Sequence, residues 1–253
     1  MIITRTIAET RAALAGEVGL VPTMGAYHAG HLSLLAAARA ENELVVASLF
    51  VNPAQFADPA DLARYPRDEA ADAEIAEEAG VDVLFAPAVE EMYPPGYETW
   101  VEVEGASQGL EGEHRPGHFR AVATVCLKLF NIVRPRRAYF GQKDAQQVEV
   151  LRRMIRDLNL DVQLRVLPTV RDADGLALSS RNALLSPEER KRALALPRAL
   201  ATKDPERARE LLADLDVDYV RVAPFDPPVL AAAVRVGGTR LIDNVPLDEG
   251  GPS

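Results

Sequence analysis

The 253-residue chain predicts an α/β protein: a doubly wound parallel sheet followed by a second, smaller α/β domain. Three observations carry that expectation. Short, near-continuous apolar runs at residues 18–21 and 44–51 read as strands buried on both faces. Segments with helical apolar spacing alternate with such runs through residue 167. After about Pro168 the pattern changes to shorter, helix-rich units. The expected boundaries are residues 1–168 for the first domain and 169–253 for the second.

Taken in order, residues 18–21 form a short apolar strand, and 32–39 read as a helix with Leu32, Leu35 and Ala36 on one face. Residues 44–51 are the next strand. An acidic, alanine-rich helix covers about 68–79 and stops at Gly80, a C-cap residue. Residues 81–86 return to strand. A helix over 119–133 ends at the Arg134-Pro135 step, where the proline penalises helical backbone in the residue before it. Strand 138–140, helix 145–158 with Val148, Leu151 and Ile155 aligned, and strand 162–167 complete the first domain. In the second, helices are expected over 187–200 and 204–215 and strands over 219–222 and 239–242.

Composition narrows the function classes. A 48% hydrophobic, 26% charged chain is ordinary for a globular protein. The net charge of −10 argues against a general nucleic-acid or anionic-membrane binder, but a local basic cluster can still hold a small anion. Apolar runs such as Leu44-Val45-Val46-Ala47 fall far short of the roughly 20 residues that span a bilayer. The opening residues lack a basic segment followed by an apolar stretch, so no signal peptide is expected. Cys126, the single cysteine, forbids an internal disulfide, fits a reducing cytoplasm and lies in an apolar helical pattern, as a buried thiol would.

The chemistry begins at Met24-Gly25-Ala26-Tyr27-His28-Ala29-Gly30-His31, a glycine-bearing turn between an apolar strand and a helix. In His-x-Gly-His the imidazoles are three residues apart, neighbours on one turn beside helix-start N–H groups that favour phosphate. Rings there can donate to an α-phosphate whose charge shifts as pyrophosphate departs. Two surface histidines, or a two-ligand metal site, are the competing readings. Gly141-Gln142-Lys143-Asp144 offers another helix start, a lysine for phosphate charge and a carboxylate for ribose hydroxyls or magnesium. Ser179-Ser180-Arg181 supplies hydroxyls and a permanent positive charge, and could equally be a helix cap. Asn52-Pro53-Ala54-Gln55-Phe56 follows a buried strand at the expected ligand edge.

These pieces fall in one order along the chain. With Tyr65-Pro66-Arg67, Glu111-Gly112, Arg115-Pro116-Gly117-His118-Phe119, Lys128-Leu129-Phe130-Asn131-Ile132, Gly-x-Lys-Asp-x-Gln-Gln and Asp174-Gly175-Leu176-Ala177-Leu178-Ser179-Ser180-Arg181-Asn182, the chain closely resembles the pantothenate synthetase (pantoate–β-alanine ligase) family of the nucleotidyltransferase superfamily. The resemblance runs to Thr239-Arg240-Leu241-Ile242-Asp243-Asn244. It implies a Rossmann-like first domain and a C-terminal domain acting as a lid. It also implies a two-step ligase reaction using ATP with Mg2+, (R)-pantoate and β-alanine, and a homodimer through the N-terminal domain. By resemblance, Met24 to His31 bind ATP, with His31 catalytic and His28 beside it on the phosphates. Gln55 and Gln147 hold pantoate, Gln55 also lying near β-alanine; Gly141, Gln142, Lys143 and Asp144 bind nucleotide; Val170 lies near adenine. Leu178, Ser179, Ser180 and Arg181 form the second phosphate loop, and Lys143 and Arg181 stabilise transition-state charge. The metal ligands are not identified.

Several positions depart from the family pattern: Gln142 for Glu, Leu178 for Met, Ala145 for Tyr and Ala121 for Gly. Gln142 and Leu178 are expected to act through their backbones. The Gly-rich run 105–117 is the expected covering loop over a reactive intermediate. A sister nucleotidyltransferase, a non-catalytic nucleotide binder and a metal-binding or structural protein are the remaining alternatives.

Overall fold

The larger sheet is built from β1 (Ile2–Thr4), β2 (Val18–Thr23), β3 (Leu44–Leu49), β4 (Val83–Phe85), β5 (Arg137–Gly141) and β6 (Gln163–Leu167); the side chains of β2 to β5 are mostly buried, those of β1 and β6 more exposed. They lie in the order β1-β4-β3-β2-β5-β6. The parallel pairing of β2 and β3 runs without a slip from Val18↔Leu44 to Thr23↔Leu49. From β2 the chain winds outward through β3 and β4, then returns to place β5 on the other side of β2. The winding therefore reverses between β2 and β5, and the carboxyl ends there are where ligands of such sheets bind.

The computed structural model describes residues 1–247, so the last six residues of the expected second domain lie outside it. Two compact units make up the chain: residues 1–140 with 150–167, and residues 141–149 with 168 onward. In the first unit the helices are α1 (Ile7–Ala13), α2 (Ala29–Glu41), α3 (Pro59–Arg64), α4 (Glu69–Glu78), α5 (Val89–Met92), α6 (Leu110–His114) and α7 (His118–Val133). Helix α8 (Ala145–Asp157) begins in the second unit and continues in the first. One face of the first sheet is filled by Val21, Val45, Ala47 and Leu84 packed with Leu34, Leu35 and Ala38 of α2 and Ala76 of α4. Cys126 sits inside α7, and burial pushes its thiol up to about 12, which makes it an inert core residue.

The second unit carries α9 (Pro187–Ala193), α10 (Ala195–Leu200) and α11 (Pro205–Leu211). It also holds an antiparallel sheet β7 (Asp216–Ala223), β8 (Val229–Val236) and β9 (Thr239–Pro246). Its own core contains Leu196, Leu200, Leu212, Leu230 and Val234.

Three expectations need correction. The single helix expected over 187–200 is two, because Pro197 cannot donate to the carbonyl of Ala193 and the chain breaks at Leu194. Strand β8 was not anticipated: its Ala231-Ala232-Ala233 centre has weak strand propensity, and pairing on both sides decides it. The run 105–117, expected as a covering loop, is not loop throughout. It contains α6, Glu111 is buried, and a Cβ built at Gly112 would collide with the Ser107 carbonyl oxygen.

Candidate active site

The turn after β2 is a backbone device with a buried carboxylate under it. Gly25 has φ +83°, and Ala26 follows at φ +54°, a left-handed conformation that a side chain adopts only under constraint. The constraint is Asp72 of α4, 4% exposed, whose two oxygens accept the N–H groups of Ala26 and Tyr27, each at 2.9 Å. A Cβ at Gly25 would lie 2.5 Å from Asp72 Oδ2 and 2.6 Å from Leu49 Cδ1, so only glycine fits.

Helix α2 starts three residues earlier than periodicity suggested, which makes His28 its N-cap and His31 its third residue. The Gly30 N–H donates to His28 Nδ1 at 3.1 Å, and the His28 N–H donates to His31 Nδ1 at 3.4 Å. Each Nδ1 is thus an acceptor, which puts the proton of each neutral ring on Nε2 and makes that N–H the donor. The rings lie 4.2 Å apart, and the Tyr27 ring sits 5.4 Å from His31. Burial pushes the Tyr27 phenol up to about 12, so it stays neutral. The amides of Ala26, Tyr27 and Gly30 are committed to Asp72 and His28. These three N–H groups are therefore already paired within the protein and do not form the expected open cradle of backbone donors.

Beyond β3, Asn52 caps a short 3-10 turn, Pro53–Gln55, by accepting from the Ala54 N–H, and its own amide donates to the Ala121 carbonyl. The carbonyl of Gln55 lies 3.2 Å from Nδ1 of buried His118, the first residue of α7. His118 therefore anchors the Gln55 backbone from the Gly117-His118-Phe119 motif.

The second unit holds the other expected residues. Gln142–Asp144 form a 3-10 turn leading into α8, whose first turn carries Gln147. Lys143 Nζ lies 3.9 Å from Asp144 Oδ1, a weak contact for a charge pair. Asn244 on β9 donates from Nδ2 to both the Gln142 and Lys143 carbonyls at 2.9 Å, and its Oδ1 accepts from Gln142 Nε2 at 3.2 Å. Gln142 thus engages through its side chain as well as its backbone. Val170 and Leu178 face each other across a narrow hairpin, the Leu178 N–H donating to the Val170 carbonyl at 3.0 Å. Arg171, within that hairpin, forks onto buried Asp243 at 2.6 and 3.1 Å. Ser179 caps the 3-10 turn Ser180–Leu184 by accepting from the Arg181 N–H, the arrangement of the cap reading. Beside these segments, Thr169 Oγ1 and Asn182 Oδ1 are buried with no hydrogen-bond partner. Among the described residues there is no group of three or more His, Cys, Asp or Glu placed to hold a metal ion, and no helix long and apolar enough to cross a membrane.

A family model described as pantoate-beta-alanine ligase matches residues 2–246. The chain belongs to the pantoate–β-alanine ligase family. It is 54% identical to the pantothenate synthetase of Moorella thermoacetica, over 92% of this chain and 91% of that one. The crystal structure of the pantothenate synthetase of Thermus thermophilus superposes with a TM-score of 0.94 at 48% identity, over 98% and 99% of the two chains. The Francisella tularensis pantoate-beta-alanine ligase, solved in complex with "Beta-gamma ATP and Beta-alanine", aligns over the full length of both chains with a TM-score of 0.89 at 35% identity.

Within this ligase fold, sequence reasoning missed Asp72, His118, Arg171 and the Asp243-Asn244 pair as supports of the site segments. His118, Asp243 and Asn244 lay inside quoted motifs with no role assigned. Asp72 resembled one more acid on an acidic helix, and only its burial marks it.

Proposed function

We propose that this ligase condenses (R)-pantoate with β-alanine at the expense of ATP, giving pantothenate, AMP and pyrophosphate through an enzyme-bound pantoyl adenylate. The observation that carries the reading is the His28–His31 pair: two imidazoles at the start of α2, each with its Nδ1 engaged and its Nε2 bearing the proton. A carboxylate is a poor acyl donor. Attack of a pantoate carboxylate oxygen on the α-phosphorus forms a P–O bond and breaks the bond to the β-phosphate bridging oxygen, which leaves as pyrophosphate. His31, with His28 beside it, donates to the phosphate oxygens as charge builds there. Lys143 and Arg181 supply fixed positive charge to the same phosphates. The amine of β-alanine then attacks the acyl carbon, AMP leaves, and the nitrogen loses a proton.

Met24 to Gly30, Gly141 to Asp144, Val170 and Leu178 to Ser180 are the proposed remaining nucleotide contacts. Gln55 and Gln147 are assigned to pantoate, since a carboxamide both donates to hydroxyls or carboxylate and accepts from hydroxyls; Gln55 is also assigned to β-alanine. Residues 1–168 would bind ATP and pantoate, and residues from 169 onward would form the lid. Mg2+ is proposed to arrive with ATP and to neutralise phosphate charge; the ion is commonly held by substrate phosphates and one or two carboxylates, and the Asp144 carboxylate would serve either this ion or the ribose hydroxyls. A homodimer through the first domain and a cytoplasmic location complete the proposal, the latter supported by the single, buried cysteine.

The test is ATP–pyrophosphate exchange with (R)-pantoate and Mg2+ in the absence of β-alanine, against a panel of other small carboxylic acids. Exchange with pantoate alone is expected. Exchange with a different acid would overturn the substrate, and none from folded, ATP-binding protein would overturn the reaction.

A further inference from the structure

We infer that Asn244 is a positioning residue for Lys143: from β9 its carboxamide grips the 142–143 backbone and sets where the lysine is presented. The inference rests on the proposed phosphate role of Lys143. In sequence Lys143 follows β5 of the larger sheet, yet residues 141–149 group with the unit that contains β9. Specific hydrogen bonds join the two segments. Both N–H groups of the Asn244 amide are used, on the Gln142 and Lys143 carbonyls at 2.9 Å each, and its oxygen takes the Gln142 side-chain N–H at 3.2 Å. Two carbonyl acceptors at one end fix which end is nitrogen.

Asn244 is 3% exposed, and a carboxamide is costly to bury on a strand unless its hydrogen bonds are made. These three bonds all go to the Gln142-Lys143 dipeptide and not to the sheet, so β9 gains nothing from them that an apolar residue would not supply. The neighbouring Asp243 does the same for a second segment: it receives the Arg171 fork and the N–H of Asn244 itself at 2.8 Å. One dipeptide of β9 thereby ties down the segments carrying Lys143 and the Val170–Leu178 hairpin.

The decisive variant is Asn244→Asp, which keeps the shape but turns a carboxylate oxygen toward two carbonyls. In ATP–pyrophosphate exchange with pantoate, kcat is expected to fall about 10- to 100-fold, on the scale of misplacing one charge-stabilising group. In a Lys143→Ala background the same change is expected to cost less than about 3-fold, because its effect passes through the lysine. Losses that multiply in the double variant, or kcat within about 2-fold of wild type in Asn244→Asp, would overturn the inference. Gln142→Met, which removes the bond to Oδ1 without adding charge beside Lys143, is expected to give a smaller loss with the same non-additivity, and serves if Asn244→Asp does not fold. Amide hydrogen exchange over residues 142–146 gives a readout independent of turnover. It should quicken about 10-fold in the folded Asn244 or Gln142 variant, and unchanged protection would refute the grip. Wild-type protein without pyrophosphate exchange would defeat the functional reading, while the hydrogen-exchange comparison would still decide the role of Asn244.

Discussion

At the scale of single residues, the site turns on which hydrogen-bonding atoms are already committed. His28 and His31 have their Nδ1 atoms engaged by main-chain N–H groups, which leaves the ring proton on Nε2. His31→Ala removes one such donor and should lower the rate of adenylate formation by roughly 10²- to 10³-fold with the fold intact, measured as pyrophosphate exchange alongside circular dichroism. Unchanged turnover would take His31 out of the mechanism. Asp72 makes a different kind of contribution, since its carboxylate caps two amides of a left-handed turn and touches no proposed substrate atom. In Asp72→Asn one oxygen remains, but the NH2 group confronts the second amide donor-to-donor. Losing that charge-assisted bond should destabilise the protein by about 1.5–3 kcal/mol in urea unfolding. Equal stability in the variant would mean the turn holds itself. The histidine pair was legible in the sequence because both partners sit within four residues. The carboxylate beneath it was not, because it belongs to a helix more than forty residues further on and acts on backbone atoms that carry no sequence identity.

At the scale of elements, a carboxylate at the end of α2 joins that helix to two strands. Glu41 accepts from Arg165 of β6 at 2.7 and 3.0 Å and from the Tyr139 hydroxyl of β5 at 3.0 Å, and Arg137 stands nearby. The hydrogen bond from Arg165 is the main reason its carboxyl is held below the usual range, with Tyr139 and the two arginine charges adding to it against the cost of burial. A folded-state value below the unfolded one means the native protein binds fewer protons in that window. The contribution is therefore present above about pH 4.3, the ordinary glutamate value, and fades as the pH drops through and below it. Urea unfolding between pH 3 and 7 should show Glu41→Gln weakened near neutrality and converging on wild type in acid; parallel curves would rule the linkage out. The elements themselves were legible where one face or both are buried in a regular pattern, as in β2, β3 and α7. Strand β8 escaped because three alanines carry no period, and the break between α9 and α10 because Pro197 acts on the carbonyl four residues before it.

At the scale of the whole molecule, the expected site residues divide between two units, each with its own core. His28, His31 and Gln55 belong to the first, and Lys143, Gln147, Val170 and Arg181 to the second. Linear reading places a boundary near Pro168 but does not show that residues 141–149 go with the later segment, because contacts such as those of Asn244 come from a hundred residues on. If ATP is bound by the segments proposed, its binding energy stabilises both units, by about 2.7 kcal/mol at a ligand concentration one hundred times the dissociation constant. Hydrogen exchange with and without ATP and Mg2+ should then show new protection in residues 24–31 and also in 141–147 and 178–182, growing with ATP concentration in parallel. Protection confined to the first set would leave Lys143 and Arg181 without a part in nucleotide binding. It would reassign the charge stabilisation to the imidazoles alone, whereas parallel protection makes the nucleotide the common ligand of both units.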